Sequence, residues 1–239
     1  MSEANAKDAR SRCDLLAEVM RSRSAFYRLL SRLFLKPLED DDIKMLTDMD
    51  FVSQANEMGD GSMLAQGLND MGRGLRRQHS GTRMLLSTDY TMCFDGVQTK
   101  DGKVAAPYAS VFLSEDGLLY REPRNDVYRL FAQSGLRLKK GVDLPEDHIS
   151  FEFEYLAILA DRAAEAAEHG RASETERMID DSIDFLENHL VTWLPMLADI
   201  AGSLLETRFY QGVMKAAVGY VELDRQTLSD AKGLCREAA

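Results

Sequence analysis

The stretch LLAEVMRSRSAFYRLLSRLFL, residues 15–35, decides the fold. Within it Leu16, Val19 and Met20, Phe26 and Tyr27, Leu30, and Leu33 and Phe34 return every three or four residues, with Arg23 on the same stripe. That spacing lines up one face of an α-helix and predicts a helix from Asp8 to Leu35, which Lys36-Pro37 ends because proline disfavours helix in the residue before it. Working outward, similar patterns predict helices over Asp40–Met49, Ser62–Gln78, Thr82–Phe94, Pro123–Gly135 and Pro145 to about Glu168. Two or three more fill Ser173–Ile200, Ser203–Leu223 and Leu228 to the end. Gly67, Gly72 and Gly74 weaken the Ser62–Gln78 helix, each by about 1 kcal/mol against alanine. The chain holds only 5 prolines and no sustained apolar–polar alternation, so the expectation is an all-α, single-domain helical bundle spanning 1–239. Phe26, Leu30, Leu33, Phe34, Leu156, Leu159, Trp193 and Leu194 are its expected core.

The breaks between helices carry the remaining organisation. Asp95–Ala106 is rich in Gly, Asp and Lys, reads as an exposed central loop, and closes at Pro107-Tyr108. Ser114–Gly117 is a turn, and the linker Leu136–Leu144 carries Arg137, Lys139 and Lys140. Loop and linker are the candidate hinges; if the chain has two halves, they are 1–135 and 145–239, joined by 136–144.

Charge and cysteine usage exclude several classes of function. Among 239 residues, 45% hydrophobic and 29% charged, Lys and Arg number 29 against 40 Asp and Glu, a formal net charge of −11. That sign repels phosphate backbones and anionic lipid, so no nucleic-acid partner and no stable membrane insertion are expected. The three cysteines, Cys13, Cys93 and Cys235, lack CxxC spacing, which speaks against a disulfide framework or thiolate zinc site and for a reducing, cytoplasmic home. The first 25 residues contain no apolar run of signal-peptide or membrane-span length.

Catalytic patterns are sparse. None of the four histidines, His79, His148, His169 and His189, follows a Glu by three residues, as a helical di-metal site needs. His148 and Glu152, and Glu165 and His169, stand four apart, for which ordinary helix-face pairing is the plain reading. There is no P-loop and no nucleophile elbow. Arg73, Arg76, Arg77, His79 and Arg83 form the most basic cluster, read as a solvated helix face. In the string from Leu144 to Tyr155, Pro145 suits a first helical position, and Glu146 and Asp147 suit the positive end of the helix dipole. Phe151, Phe153 and Tyr155 cannot all face one way on that helix. A helical metal-dependent hydrolase using Asp147, His148 and Glu152 is the alternative function these residues leave open.

Several strings, in order, resemble one family. Phe26 to Phe34, Asp89-Tyr90-Thr91 with Phe94, Pro107-Tyr108 with Ser110, Pro145-x-Asp147-His148, Phe185 to Trp193 and Phe209-Tyr210 together resemble the TorD/DmsD/NarJ-type (TorD-like) cytoplasmic chaperones that mature molybdenum-cofactor redox enzymes. The likeness spans roughly Ser22 to Asp224. Leu144 stands where the family's Glu-Pro-x-Asp-His motif commonly begins with Glu. The resemblance implies a non-enzymatic protein without metal or other tightly held cofactor, monomeric or a swapped homodimer. It also implies weak guanine-nucleotide binding, for which no phosphate site is recognisable here. Its implied partners are an apo molybdoenzyme catalytic subunit and that subunit's twin-arginine leader peptide. By the same resemblance Asp147 and His148 are the leader-recognising pair and Tyr108 and Phe94 line its groove, while Tyr90, Pro107, Ser110 and Glu152 complete the candidate set. The acidic charge and the 10 Phe, 8 Tyr and 1 Trp supply what such a groove needs to hold paired arginines beside an apolar stretch.

Overall fold

The computed structural model describes residues 3–59, 61–76 and 78–238. It is all-α: α1 (Glu3–Leu35), α2 (Asp40–Asp48), α3 (Phe51–Met58), α4 (Met63–Leu75), α5 (Thr82–Phe94), α6 (Ala109–Leu113), α7 (Glu122–Gln133), α8 (Ile149–Glu168), α9 (Ala172–Phe185), a π-helical turn (Leu186–Leu190), α10 (Val191–Leu204) and α11 (Arg208–Ala238). Among the described residues there is no strand, only isolated bridges between Lys100 and Lys103 and between Tyr108 and His148. Arg77 of the basic cluster lies outside the described residues.

Helix α1 runs along α8, and α4 along α11. Tyr27, Leu30, Leu33 and Phe34 of α1 are buried, as are Leu156 and Leu159 of α8 and Trp193 and Leu194 of α10, while Phe26 is half-buried and stacks on Tyr220 of α11. The α4–α11 pair explains Gly67 and Gly74, which face Ala216 and Phe209, while a Cβ at Gly72 would stand 2.7 Å from Val52 of α3. A Cβ at Gly67 would stand 2.4 Å from the Ala216 backbone nitrogen, and one at Gly219 2.3 Å from that of Leu64. The two backbones therefore touch where only hydrogen fits, and the propensity lost in α4 is regained as close packing.

Three sequence expectations need correction. Helix α3 was not foreseen; Asp50, in the left-handed region at φ 44, caps it through Ser53 N–H, and Gly59 at φ 63 ends it. The C-terminal helix does not break between Leu223 and Leu228, because Asp224 points inward to Arg23 and Tyr27 and gives that polar stretch a buried anchor. Helix α8 starts at Ile149 rather than Pro145, for a reason that lies in the candidate site.

Candidate functional site

The segment before α6 and the segment before α8 meet at the isolated antiparallel bridge between Tyr108 and His148. Ala109 N–H donates to the Asp147 carbonyl at 3.0 Å, and Ile149 N–H donates to the Pro107 carbonyl at 2.9 Å. A turn closed by His148 N–H on the Pro145 carbonyl at 3.1 Å leads into this bridge, which holds His148 extended (φ −70, ψ 133) and delays the helix until Ile149. Asp147 is consequently no first-turn acid of α8: its Oδ2 accepts the Ser110 N–H at 2.8 Å, in the first turn of α6. His148 takes over the cap, its Nδ1 accepting from Ser150 N–H at 3.2 Å and facing the Ser150 hydroxyl at 2.7 Å. Because Nδ1 accepts, the ring proton of the neutral imidazole is assigned to Nε2. The ring stands edge-on to Tyr108, centroids 4.8 Å apart.

One helical turn further, Glu152 Oε2 accepts the Trp193 Nε1–H at 3.2 Å, and the indole stacks on Phe112 of α6 at 5.5 Å. Asp147, Ser110 and Glu152 have no exposed surface, His148 and Pro107 are buried, and Tyr108 is half-buried. Burial raises the pKa of Asp147, although hydrogen bonds from Ser110 and the charge of Arg124 act against it. Burial, then the charge of Asp147, holds Glu152 well above the usual carboxylate range. Burial drives His148 down to about 3, so its imidazole is neutral.

The structure thus brings Pro107, Tyr108, Ser110, Asp147, His148 and Glu152 into one corner. Tyr90 and Phe94 are buried in an aromatic cluster with Phe34 and Tyr210, where the Tyr90 hydroxyl donates to the Phe34 carbonyl at 2.8 Å and ties off the end of α1. The aromatics of α8 divide as their spacing requires: Phe153 packs on Tyr27 and Phe34, Tyr155 on Phe131 and Phe185, and Phe151 against His148. Asp147, His148 and Glu152 do not converge as a donor set, since His148 Nδ1 turns to Ser150 and Glu152 to Trp193. Among the described residues no group of three or more His, Cys, Asp and Glu is placed to hold a metal ion.

From the last residue of α6 onward the chain presents Leu113, Leu118 and Tyr120 to solvent, the last 60% exposed and in the left-handed region at φ 59. Tyrosine rarely adopts that conformation, so the segment's far end is held under constraint. Sequence reasoning passed over these residues; an apolar pair, Leu118-Leu119, beside Tyr120 in a turn region was the available signal. It also passed over a groove of about 420 Å³ where α7 meets α8, α9 and the π-helical turn, floored by Tyr155, Phe185 and His189. There His189 lies parallel on Phe185, centroids 4.7 Å apart. No helix among the described residues is long and apolar enough to cross a membrane.

Comparison with known proteins converges on one family. Residues 62–199, more than half of the chain, match the family described as nitrate reductase delta subunit. A protein of Vibrio cholerae named chaperone protein TorD is 26% identical over 210 residues, covering 87% of this chain and 92% of its own. Proteins of the same name from Vibrio parahaemolyticus (26% identical, 84% and 92% covered) and Vibrio vulnificus (27%, 86% and 94%) align over nearly the same span.

Proposed function

This chain belongs to the nitrate reductase delta subunit family, and from that premise we propose that it is a cytoplasmic chaperone for maturation of a molybdenum-cofactor oxidoreductase. It binds the client's twin-arginine leader peptide and apo catalytic subunit, and holds them until cofactor is inserted. The observation that carries this reading is the alignment, over most of both chains, with proteins named as chaperones, a non-enzymatic class. The geometry supports a division of labour. Asp147, His148, Ser110 and Glu152 are buried, so they brace the corner; half-buried Tyr108 and exposed Leu113, Leu118 and Tyr120 offer the surface a peptide's apolar segment would meet.

The test is calorimetry with a synthetic peptide carrying paired arginines and an apolar segment. It should bind, and Asp147→Asn and His148→Ala, at positions that brace the corner rather than touch the peptide, should each weaken it by loosening the surface that Tyr108 and its neighbours present, without loss of helix content. Raising salt should remove part of the affinity and spare the apolar part. Melting temperatures of the same variants separate a lost surface from a lost fold. Unchanged affinity in both variants, or affinity lost only in step with stability, would move the peptide site away from this corner.

A further inference from the structure

Asp147 and Glu152 are buried and bonded within the corner, so a positive charge arriving from solvent meets neither of them. The groove of about 420 Å³ between α7, α8 and α9 offers what the corner lacks. One of its walls is a single helix face, on which Arg177, Asp181, Asp184 and Asn188 recur at three- and four-residue spacing. Asp181 and Asp184 are exposed, and neither carboxylate has a hydrogen bond or ion pair with any described residue. Their neighbour Asp180 is by contrast engaged, with Lys232 Nζ at 2.5 Å. Of the two cations in the lining, Arg162 spends both Nη groups on the Ser134 carbonyl, at 3.1 Å each, while Arg177 is exposed and bonded to no described residue. The floor is flat and aromatic. Phe185 and His189 lie parallel, Tyr155 leans on Phe185 with centroids 4.7 Å apart, and the Tyr155 hydroxyl faces Ser134 Oγ at 2.8 Å. Burial lowers the pKa of His189, so its ring is neutral near pH 7. The turn that carries His189 is π-helical, a form enriched at functional sites.

We propose that this groove is a guanidinium site, which receives one arginine side chain of a bound peptide between Asp181 and Asp184 and over the Phe185–His189 floor. The uncommitted charges of the lining are two carboxylates and one cation, so a cation finds two partners where an anion finds only Arg177. Positions three apart on a helix hold their Cβ atoms about 5–6 Å from each other, a gap that the five donors of one guanidinium can bridge. The floor then separates arginine from lysine: a planar guanidinium stacks on aromatic faces, whereas an ammonium gains the charge alone. Tyr155 follows Glu152 by three residues on α8, about 4.5 Å along its axis, so groove and corner are built on one helix. This deepens the reading above, on which it rests for the arginine-bearing partner; the preference for guanidinium rests on the lining alone.

His189 makes the groove its own reporter. In the full chain labelled at histidine, with the four ring signals assigned through His189→Gln, acetyl-arginine amide should shift the His189 signals saturably at pH 7. Acetyl-lysine amide, of equal charge, should shift them much less. The double variant Asp181→Asn and Asp184→Asn, at two exposed positions, should lose the arginine response with its melting temperature unchanged. It should also bind the paired-arginine peptide about tenfold more weakly, since exposed ion pairs contribute up to about fivefold each. Exchanging the peptide's arginines for lysines should weaken binding to the wild type and add little in the double variant. His189 signals that ignore acetyl-arginine amide, or follow acetyl-lysine amide equally, overturn the proposal whether or not the peptide binds. Peptide affinity unchanged in the double variant overturns it too, and leaves the chaperone reading standing. A wild type that answers acetyl-arginine amide through Asp181 and Asp184 yet binds no peptide upholds the site and overturns that reading.

Discussion

Asp224 on one side and Asp147 and Glu152 on the other lie equally deep, yet they are compensated in opposite ways. Asp224, 1% exposed, receives Arg23 Nε at 2.6 Å and Nη2 at 2.8 Å on its two oxygens, and the Tyr27 hydroxyl at 2.7 Å besides. Burial works against the Arg23 charge, but Asp224 outweighs it and the guanidinium ends with a raised pKa. Asp147 and Glu152 have hydrogen bonds on one oxygen each and no guanidinium of their own. Asp89 stands between these cases, satisfied without a cation by the N–H groups of Glu206 and Thr207, at 2.9 Å each, and by the Thr207 hydroxyl. The contrast teaches that the compensating group, rather than the depth, decides whether a buried carboxylate is a fixed staple or a proton-dependent one.

The largest effect should come from breaking the compensated centre. Asp224→Ala leaves a guanidinium buried with no anion, and such a loss typically destabilises by about 3–5 kcal/mol. Urea unfolding should register a drop of that size. Replacing the whole group by Arg23→Met, Tyr27→Phe and Asp224→Leu should recover most of it, because no polar group is then left without a partner. A single variant that unfolds at the wild-type midpoint would mean that the pair contributes geometry and no stability.

Much of the helix inventory was legible because apolar periodicity is local. The stripe from Leu16 to Phe34 lies inside α1, and α5 spans the predicted Thr82–Phe94. Helix α3 had its signals, Asp50 before and Gly59 after, but at eight residues it offers too little periodicity to stand out. The identities of the corner residues were legible from the strings that carry the family resemblance; their partners were not. Ser110 meets Asp147 across 37 residues and Glu152 meets Trp193 across 41, and pairings at such range leave no mark in one sequence. For the same reason Asp147, which suits a first helical turn in every local respect, is in the structure a tie to another segment.

A second, smaller effect sharpens the contrast from the acid side. His148 is buried neutral with its pKa pushed to about 3, whereas an unfolded histidine takes up a proton near pH 6.5. A lowered folded pKa gives stability that is present above the unfolded value and lost as pH falls toward the folded one. The loss is about 1.4 kcal/mol per pH unit, or about 2 kcal/mol by pH 5. His148→Asn keeps a capping acceptor and removes the titration. Between about pH 7 and pH 5 it should therefore lose about 2 kcal/mol less than the wild type in urea unfolding. Glu152 limits the corner from the other direction: its raised folded pKa gives stability present at low pH and lost as pH climbs toward that value. Equal acid slopes in both proteins would mean that water reaches the His148 ring before the corner unfolds.

The smallest effect should come from a pair that copies the geometry of Arg23–Asp224 in the wrong place. Arg225 reaches Glu187 through the same two nitrogens, Nε at 2.5 Å and Nη2 at 3.0 Å, joining α11 to the π-helical turn. The side chains are 50% and 39% exposed, against 2% and 1% for the buried pair. Water already solvates both charges, so removing one leaves nothing stranded, and the attraction gained on pairing is offset by the entropy of fixing two long side chains. Arg225→Gln should accordingly unfold at the wild-type urea midpoint, at low salt and at about 1 M salt alike. A clear fall in midpoint at low salt that closes at high salt would show the π-helical turn held in place by this bond, and solvent exposure would then fail to separate the two guanidinium–carboxylate pairs.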